Sequence, residues 1–135
     1  KGVIEPGERS LLLSAPDLMP SILSMLGCGE LTPSGVQGEN YANAILGEEG
    51  PKPNAALYMQ MYPKDMSQGN RGIKTDRFTF VLQRKEGQEN RMLFDNEDDP
   101  FQLENRLEQH PDVVKELETE MVKRLERIGD PWYTK

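Results

Sequence analysis

The sequence predicts an α+β fold: a small antiparallel sheet of about four strands with a long C-terminal helix packed on one face, preceded by a helix-containing lead-in segment. Two observations predict it. In the second half of the chain, short runs rich in aromatic and β-branched residues alternate with turn-forming residues. After them comes one long stretch in which apolar residues recur every three or four positions, the period of an amphipathic helix.

The lead-in segment contains one clear helix, expected over residues 17–26. Asp17 can accept free amide hydrogens at a helix start, Pro20 falls in the first turn, and Gly27 ends the pattern. The apolar stripe from Leu18 to Leu26 needs a partner to pack against, and a piece severed from that partner should expose the stripe and tend to self-associate.

A boundary is expected after a second, brief helical turn over residues 40–46. Pro51 and Pro53 make residues 48–54 an extended connector. We therefore expect two parts, residues 1–50 and residues 51–135.

The second part should hold the sheet. Four runs have strand character, and between the last two a hairpin loop is expected at residues 85–88. In the third run, Phe78, Phe80 and Leu82 share one face while polar residues take the other, as in a half-buried strand. The predicted strands are residues 55–62, 72–75, 77–83 and 91–95.

The last element is a helix expected over residues 112–128. Acidic residues lead it and basic residues end it, which matches the helix dipole at both ends. One stripe of apolar side chains should lie across the sheet: Val114, Leu117, Met121, Leu125 and Ile128.

Composition excludes several classes of function. With 23 acidic against 16 basic residues the net charge is −7, which repels nucleic acid and anionic membranes. No apolar run approaches the length of a membrane span. The chain starts with Lys1 instead of methionine, which we interpret as a cut inside a longer gene product.

The inventory of catalytic groups is thin. The only cysteine, Cys28, lies between glycines with no neighbouring base, and the only histidine, His110, precedes a helix as a surface loop residue would. The acidic run at residues 95–99 lacks the glycine and the distal glutamate of a calcium loop, so we expect a solvated turn. The sequence therefore predicts no catalytic residue, no metal site and no cofactor in this chain.

Three cations stand out in residues 70–77. Arg71 precedes Gly72 at a predicted strand entry, where a guanidinium could reach an anionic ligand. The alternative is that Arg71, Lys74 and Arg77 pair with nearby acids such as Asp76 and Asp95.

The order of four segments resembles the C-terminal end of a type I sulfatase, an arylsulfatase or heparan-type sulfatase of the alkaline-phosphatase superfamily. Residues 15–27 (APDLMPSILSMLG) are similar to the family's D-(I/L)-x-P-T-(I/L)-L-x-L-x-G helix, with Ser21 where threonine is usual. Residues 71–80 (RGIKTDRFTF) resemble R-G-(V/I)-R-T-D-R-Y-(K/T)-(F/Y). Residues 93–105 resemble L-(Y/F)-D-x-x-x-D-P-x-E-x-x-N, and the ending Gly129-Asp130-Pro131-Trp132 also occurs in family members.

The resemblance implies a parent enzyme that hydrolyses sulfate esters or sulfamates of sulfated carbohydrates or aryl sulfates. Such enzymes use calcium and a formylglycine made within a Cys/Ser-x-Pro-x-Arg motif, which is absent from this sequence. Residues 1–50 would then be the tail of the catalytic domain, and residues 51–135 an accessory subdomain docked on the N-terminal catalytic domain. The chain alone is expected to be inactive, with Arg71 and Gln60 the residues that could reach substrate.

Two alternatives remain open at this point. The parent could be a phosphodiesterase or phosphonate hydrolase of the same superfamily, which shares the end of the chain. The chain could also be a stand-alone, non-catalytic binding module, for which the cluster from Arg71 to Arg77 would matter directly. The resemblance favours a periplasmic or secreted parent, while the sequence itself leaves the compartment undetermined.

Overall fold

The structure is a computed structural model that describes residues 7–133. The chain divides between Asn54 and Ala55 into two compact units, at the end of the stretch where a boundary was predicted. Unit 1 is helical and unit 2 holds a four-stranded antiparallel sheet with a C-terminal helix, so the predicted α+β class is confirmed. Within residues 7–133, none of the helices combines the length and the apolar composition of a membrane-spanning segment.

Unit 1 contains the helix α1 (Ala15–Met25), a 3₁₀ turn (Gly29–Leu31) and the short helix α2 (Ala42–Leu46). Helix α1 begins before the predicted start because Ser14 is its N-cap and Asp17 lies inside the first turn. The Asp17 carboxylate accepts the backbone N–H of Ser14 at 2.8 Å, the reciprocal half of a capping box. Gly47, with φ of 85°, ends α2 in the left-handed conformation that glycine adopts without strain.

The start of α1 also holds the loop that follows it in sequence. The second oxygen of Asp17 accepts the N–H of Glu39 at 2.8 Å, and the buried Ser21 hydroxyl accepts the N–H of Tyr41 at 2.9 Å. Gly38 lies against the helix so closely that a Cβ there would come 2.1 Å from the carbonyl oxygen of Pro16. These contacts explain the aspartate at position 17, the hydroxyl at position 21 and the glycine at position 38.

The apolar stripe of α1 faces outward. Leu18, Met19 and Ile22 are about half exposed and Leu26 is 70% exposed. The expected exposure of this stripe is confirmed, and self-association stays a prediction.

Unit 2 is a meander of four strands in the order β1-β2-β3-β4, with every neighbouring pair antiparallel. The predicted strands are recovered, but the second is much longer than expected. Gly69, Asn70 and Arg71 also pair with both β1 and β3, and Asp65 pairs with Tyr62 of β1 across a register shift. The strands are β1 (Ala56–Tyr62), β2 (Asp65–Lys74), β3 (Phe78–Lys85) and β4 (Gln88–Asp95).

One face of the sheet carries the core. The helix α3 (Pro111–Arg127) lies on this face, within one residue of its predicted bounds, and buries Leu117, Met121 and Leu125 there. The strand residues fully buried against it are Ile73, Phe80, Leu82 and Leu93. Residues paired directly across neighbouring strands point their side chains to the same face of the sheet, so the strand register identifies the residues on the face opposite α3. We call it the open face; its central rows are Ala56, Tyr58, Gln60, Asn70, Gly72, Lys74, Thr79, Val81, Gln83, Asn90, Met92 and Phe94.

The loop after β4 covers the β4 edge of the sheet. Asn105 accepts the N–H of Leu93 at 3.0 Å and donates to the carbonyl of Arg91 at 3.2 Å, while the N–H of Arg106 bonds to the Leu93 carbonyl at 2.7 Å. The side-chain amide thus continues the ladder where a fifth strand would lie, which protects that edge from pairing with another chain.

Candidate functional site

The two residues predicted to reach substrate lie on neighbouring strands but on opposite faces of the sheet. Gln60 pairs with Asn70 on the open face, whereas Arg71 pairs with Met59 on the face that α3 covers. Their one direct contact joins side chain to backbone: Arg71 Nη1 donates to the carbonyl oxygen of Gln60 at 3.4 Å. The structure therefore does not bring the two side chains together, and their role toward substrate stays a prediction.

Arg71 is fully buried and forms an ion pair. Its Nε donates to Asp130 Oδ2 at 2.8 Å, and both side chains are almost completely excluded from solvent. Nη1 also reaches the carbonyl of Asn70 at 3.2 Å, but Nη2 has no hydrogen-bond partner. A guanidinium out of water needs a counter-charge, so Asp130 is what allows Arg71 to occupy the interior.

The indole of Trp132 completes this cluster. The ring lies 4.3 Å from the guanidinium carbon of Arg71 and 4.4 Å from that of Arg84, both within cation-π distance. The indole N–H donates to the carbonyl of Met66 at 2.9 Å, and the Trp132 N–H bonds to Asp130 at 3.0 Å. Residues 130–132 are thereby fixed to β2 and β3. Next to it, burial raises the pKa of the Tyr133 phenol.

Sequence reasoning missed this arrangement. The sequence indicates Asp130 and Trp132 only as part of a family ending, and the acid partners it predicts for the cationic cluster are Asp76 and Asp95. Asp130 pairs with Arg71 across 59 positions of sequence, a separation that no local pattern reveals.

Arg77 does pair with Asp95, as one of the two interpretations predicted. Its Nη2 lies 2.9 Å from Asp95 Oδ2. The hydrogen bond from Arg77 holds the pKa of the Asp95 carboxyl below its usual range, and the backbone N–H groups of Glu97 and Asp98 act in the same direction against the opposing effect of burial. The same contact raises the pKa of Arg77.

The acidic run is a folded turn. The prediction of a simply solvated turn was wrong for two of its members, since Asp95 is 2% exposed and Asp99 is 9% exposed. Asp99 accepts the N–H of Glu104 at 2.8 Å, so both carboxylates hold the backbone of the loop after β4. Within residues 7–133 no group of three or more histidine, cysteine or acidic side chains could hold a metal ion.

Cys28 and His110 lie in ordinary surroundings. The Cys28 thiol donates to the carbonyl of Leu26 at 3.6 Å, and His110 lies at the start of α3 with its ring 5.4 Å from that of Phe78. Neither is placed beside a base or an acid in the manner of a catalytic pair.

The amide of Gln60 belongs to a chain of carboxamides across three strands of the open face. Gln83 donates to Asn70 Oδ1 at 3.1 Å, and Asn70 donates to Gln60 Oε1 at 2.9 Å. This network fixes the orientation of three neutral side chains, of which Gln60 is the most accessible.

Comparison with known proteins gives consistent findings. Residues 2–130 match the family model described as N-sulphoglucosamine sulphohydrolase, C-terminal. The chain is 40% identical to an endo-4-O-sulfatase of Bacteroides thetaiotaomicron over 98% of its own length and 29% of that protein.

Two solved structures share the fold of this chain. A protein of the same organism, from a locus for metabolism of multiple glycosaminoglycans, is 38% identical with a TM-score of 0.81, covering 98% of this chain and 30% of that one. A phosphonate monoester hydrolase of Agrobacterium radiobacter, 17% identical with a TM-score of 0.64 over 83% of this chain and 24% of that one, shares the fold alone. The chain thus spans less than a third of the relatives it matches.

Proposed function

Because this chain belongs to the family of N-sulphoglucosamine sulphohydrolase C-terminal domains and is the C-terminal region of a sulfatase, we propose that it is the accessory part of an enzyme that hydrolyses sulfate esters or sulfamates. Its role is to scaffold an N-terminal catalytic domain of the same polypeptide. The observation that carries this proposal is the 40% identity to an endo-4-O-sulfatase across nearly the whole chain. The substrate class proposed for the parent is a sulfated carbohydrate.

The catalytic groups would come from the rest of the parent. The described residues contain no candidate cluster for calcium, and the sequence lacks the Cys/Ser-x-Pro-x-Arg motif, so the family's calcium and formylglycine do not fit this chain. The contacts described above support a scaffold, because several charged side chains of the family motifs hold backbone or one another: Asp17, Arg71, Arg77, Asp95, Asp99 and Asp130.

Gln60 and Arg71 are proposed to serve the substrate cleft in different ways. The exposed Gln60 amide lies on the edge strand β1, where it can extend toward a sugar hydroxyl. Of the three guanidinium nitrogens of Arg71, only the buried Nη2 has no hydrogen-bond partner, so it is the atom that Arg71 can offer. A Gln60→Ala variant of the parent should therefore raise KM for a sulfated oligosaccharide while kcat for a small aryl sulfate is unchanged, with Asn90→Ala, in the same amide row, as the matched control.

The assignment itself is tested by turnover. The full-length parent should release sulfate from an aryl sulfate or from a 4-O-sulfated glycosaminoglycan oligosaccharide in a calcium-dependent way, and the 135-residue chain should release none. Turnover of a phenyl phosphonate in preference to every sulfate ester would support the phosphonate hydrolase alternative instead. Calcium-dependent sulfate release by the isolated chain would contradict its accessory role.

A further inference from the structure

A groove lies between helix α3 and the hairpin of β3 and β4, and we call it the α3 groove. Its volume of about 590 Å³ falls in the range of about 300–1,000 Å³ that is typical of sites for small ligands. Four of its lining side chains are cations, with Arg84 and Arg91 on the strands and Lys115 and Lys123 on the helix, against three acids. Cations thus outnumber acids in the groove, although the chain as a whole has a net charge of −7.

A series of ion pairs crosses the α3 groove from the helix to the sheet. Glu118 of α3 lies 3.0 Å from Arg91, and Glu89 of β4 lies 3.3 Å from Arg91 and 3.1 Å from Arg84. All three guanidinium nitrogens of Arg91 donate to these two carboxylates. Arg84, in contrast, bonds to Glu89 through Nε alone, and within residues 7–133 its Nη1 and Nη2 have no acceptor.

The guanidinium of Arg84 is also held by aromatic rings. Its central carbon lies 4.4 Å from the centroid of the Trp132 ring and 5.8 Å from that of Tyr133. Stacking and the bond at Nε together fix the planar group, so its two terminal nitrogens form a fork that matches two oxygens of a sulfate. The side chain is 35% exposed, which leaves the fork accessible. Arg84 is therefore organised in advance to receive an anion.

The rest of the lining suits a sugar better than a bare ion. Leu82, Val122 and the ring of Tyr133 supply apolar surface, on which the C–H face of a sugar ring can lie. Lys115 adds a cation on the helix side, and none of the ion pairs that α3 makes within the described residues involves it. A ligand that combines a ring with a negatively charged group uses both kinds of surface.

We propose that the α3 groove binds a sulfated sugar unit, whose sulfate accepts hydrogen bonds from Nη1 and Nη2 of Arg84. The inference rests on the proposed function, which supplies the class of ligand, and adds to it the place where this domain holds such a ligand. Gln60 lies on the opposite face of the sheet, so the groove is tested separately from the Gln60→Ala variant. An acidic peptide carries the same kind of charge and is therefore one of the ligands compared.

Trp132 reports on the groove because it is the only tryptophan in the sequence and stacks on Arg84. The 135-residue chain is titrated with a 4-O-sulfated glycosaminoglycan tetrasaccharide, and binding is followed by calorimetry and by Trp132 fluorescence. The ligands compared with it are the same tetrasaccharide without sulfate, inorganic sulfate and a tetraglutamate peptide. We expect saturable binding of the sulfated sugar, with a change in Trp132 fluorescence over the same concentrations, and weaker binding of the other three.

Three variants locate the binding. Arg84→Gln removes the fork and should weaken binding of the sulfated sugar by at least about tenfold. Lys115→Gln should weaken it by about two- to fivefold, and this variant breaks no ion pair within the described residues, so its loss cannot arise from a disturbed fold. Arg106→Gln is the matched control, because its side chain is 34% exposed and lies outside the groove, and it should bind as tightly as the original. Thermal unfolding checks that each variant is folded.

Several results would overturn the proposal. They are the absence of saturable binding, binding of any of the three compared ligands as tightly as the sulfated sugar, and equal affinity of Lys115→Gln, Arg84→Gln and Arg106→Gln. Sulfate release by the full-length parent is measured separately. Binding by the chain beside a parent that turns over only phosphonates would retain the groove and reject the proposed function, whereas sulfate release without binding would do the reverse.

Discussion

Replacing Asp130 with asparagine removes the counter-charge of a buried guanidinium while keeping the shape of the side chain. Arg71 is 0% exposed, and its Nε lies 2.8 Å from the carboxylate. Breaking a buried pair by removing one partner costs about 3–5 kcal/mol, because the other charge is left uncompensated. We expect the lower end, about 3 kcal/mol, since the asparagine oxygen can still accept one hydrogen bond and the Trp132 ring still faces the cation.

The measurement is urea and thermal unfolding of the 135-residue chain, followed by the fluorescence of Trp132, the one tryptophan in the sequence. In a domain of the size of unit 2, which starts at Ala55, 1 kcal/mol shifts the midpoint by about 4–8 °C, so Asp130→Asn should lower the Tm of this unit by at least about 12 °C. Circular dichroism should show the same midpoint, which guards against a purely local change around the indole.

Two further variants make the reasoning refutable. Glu104→Gln removes an exposed ion pair with Arg106 and should cost less than about 1 kcal/mol. The double variant Arg71→Met, Asp130→Asn leaves no buried charge at this site and should be more stable than Asp130→Asn alone. A loss below about 1 kcal/mol in Asp130→Asn would show that Arg71 does not depend on this carboxylate.

Three other variants test the remaining contacts. The folded-state pKa of Asp95 is depressed, so ionisation of this carboxyl stabilises the fold at any pH above its unfolded-state pKa of about 3.9, and the contribution is lost as the pH falls through the folded-state pKa. Arg77→Gln should therefore unfold at a higher pH on acid titration. An unchanged acid midpoint would contradict the pairing of Arg77 with Asp95. Gly38→Ala should destabilise unit 1 by about 1–3 kcal/mol, because the new methyl meets helix backbone, whereas Gly35→Ala, with nothing within 4 Å, is the control and should be neutral in urea. Ser21→Ala should cost about 1 kcal/mol by removing the hydroxyl that accepts the partly buried N–H of Tyr41. Ser21→Thr should retain the stability of the original, and equal losses in both variants would argue against the hydroxyl.

Helices and strands with a clear hydrophobic periodicity could be predicted from the sequence. Helix α3 and strands β3 and β4 were placed to within a few residues because their apolar residues alternate or recur cleanly on one face. The first half of β2 was missed because Met66-Ser67-Gln68-Gly69-Asn70 has little strand propensity. In the structure Gly69 and Asn70 pair with both neighbouring strands, and Asp65 pairs with Tyr62 across a register shift. The start of α1 was missed although Ser14, three residues before Asp17, has the spacing of a capping box, which is a local signature.

The candidate site was less predictable than the fold. The sequence could single out Gln60 and Arg71, but it could not show on which face of the sheet each side chain lies. That depends on the pairing register of β1 with β2, and a shift of one residue would move the side chains to the opposite face. The partner of Arg71 depends on the path of the chain after α3, where Gly129 turns the backbone with φ of 70° and returns Asp130 to the sheet. Both facts belong to tertiary structure and have no local signature.

The motifs that carry the family resemblance therefore have a common physical role in this chain. Asp17 and Ser21 satisfy backbone N–H groups of the loop before α2, and Asp95, Asp99 and Asn105 do so for the loop after β4. Buried N–H groups in irregular segments must find acceptors, and short carboxylate, hydroxyl and amide side chains supply them at fixed geometry. A catalytic role would instead require such groups to point away from their own backbone toward a common space. Their orientation inward explains how a segment without an active site can keep so many polar positions typical of a sulfatase.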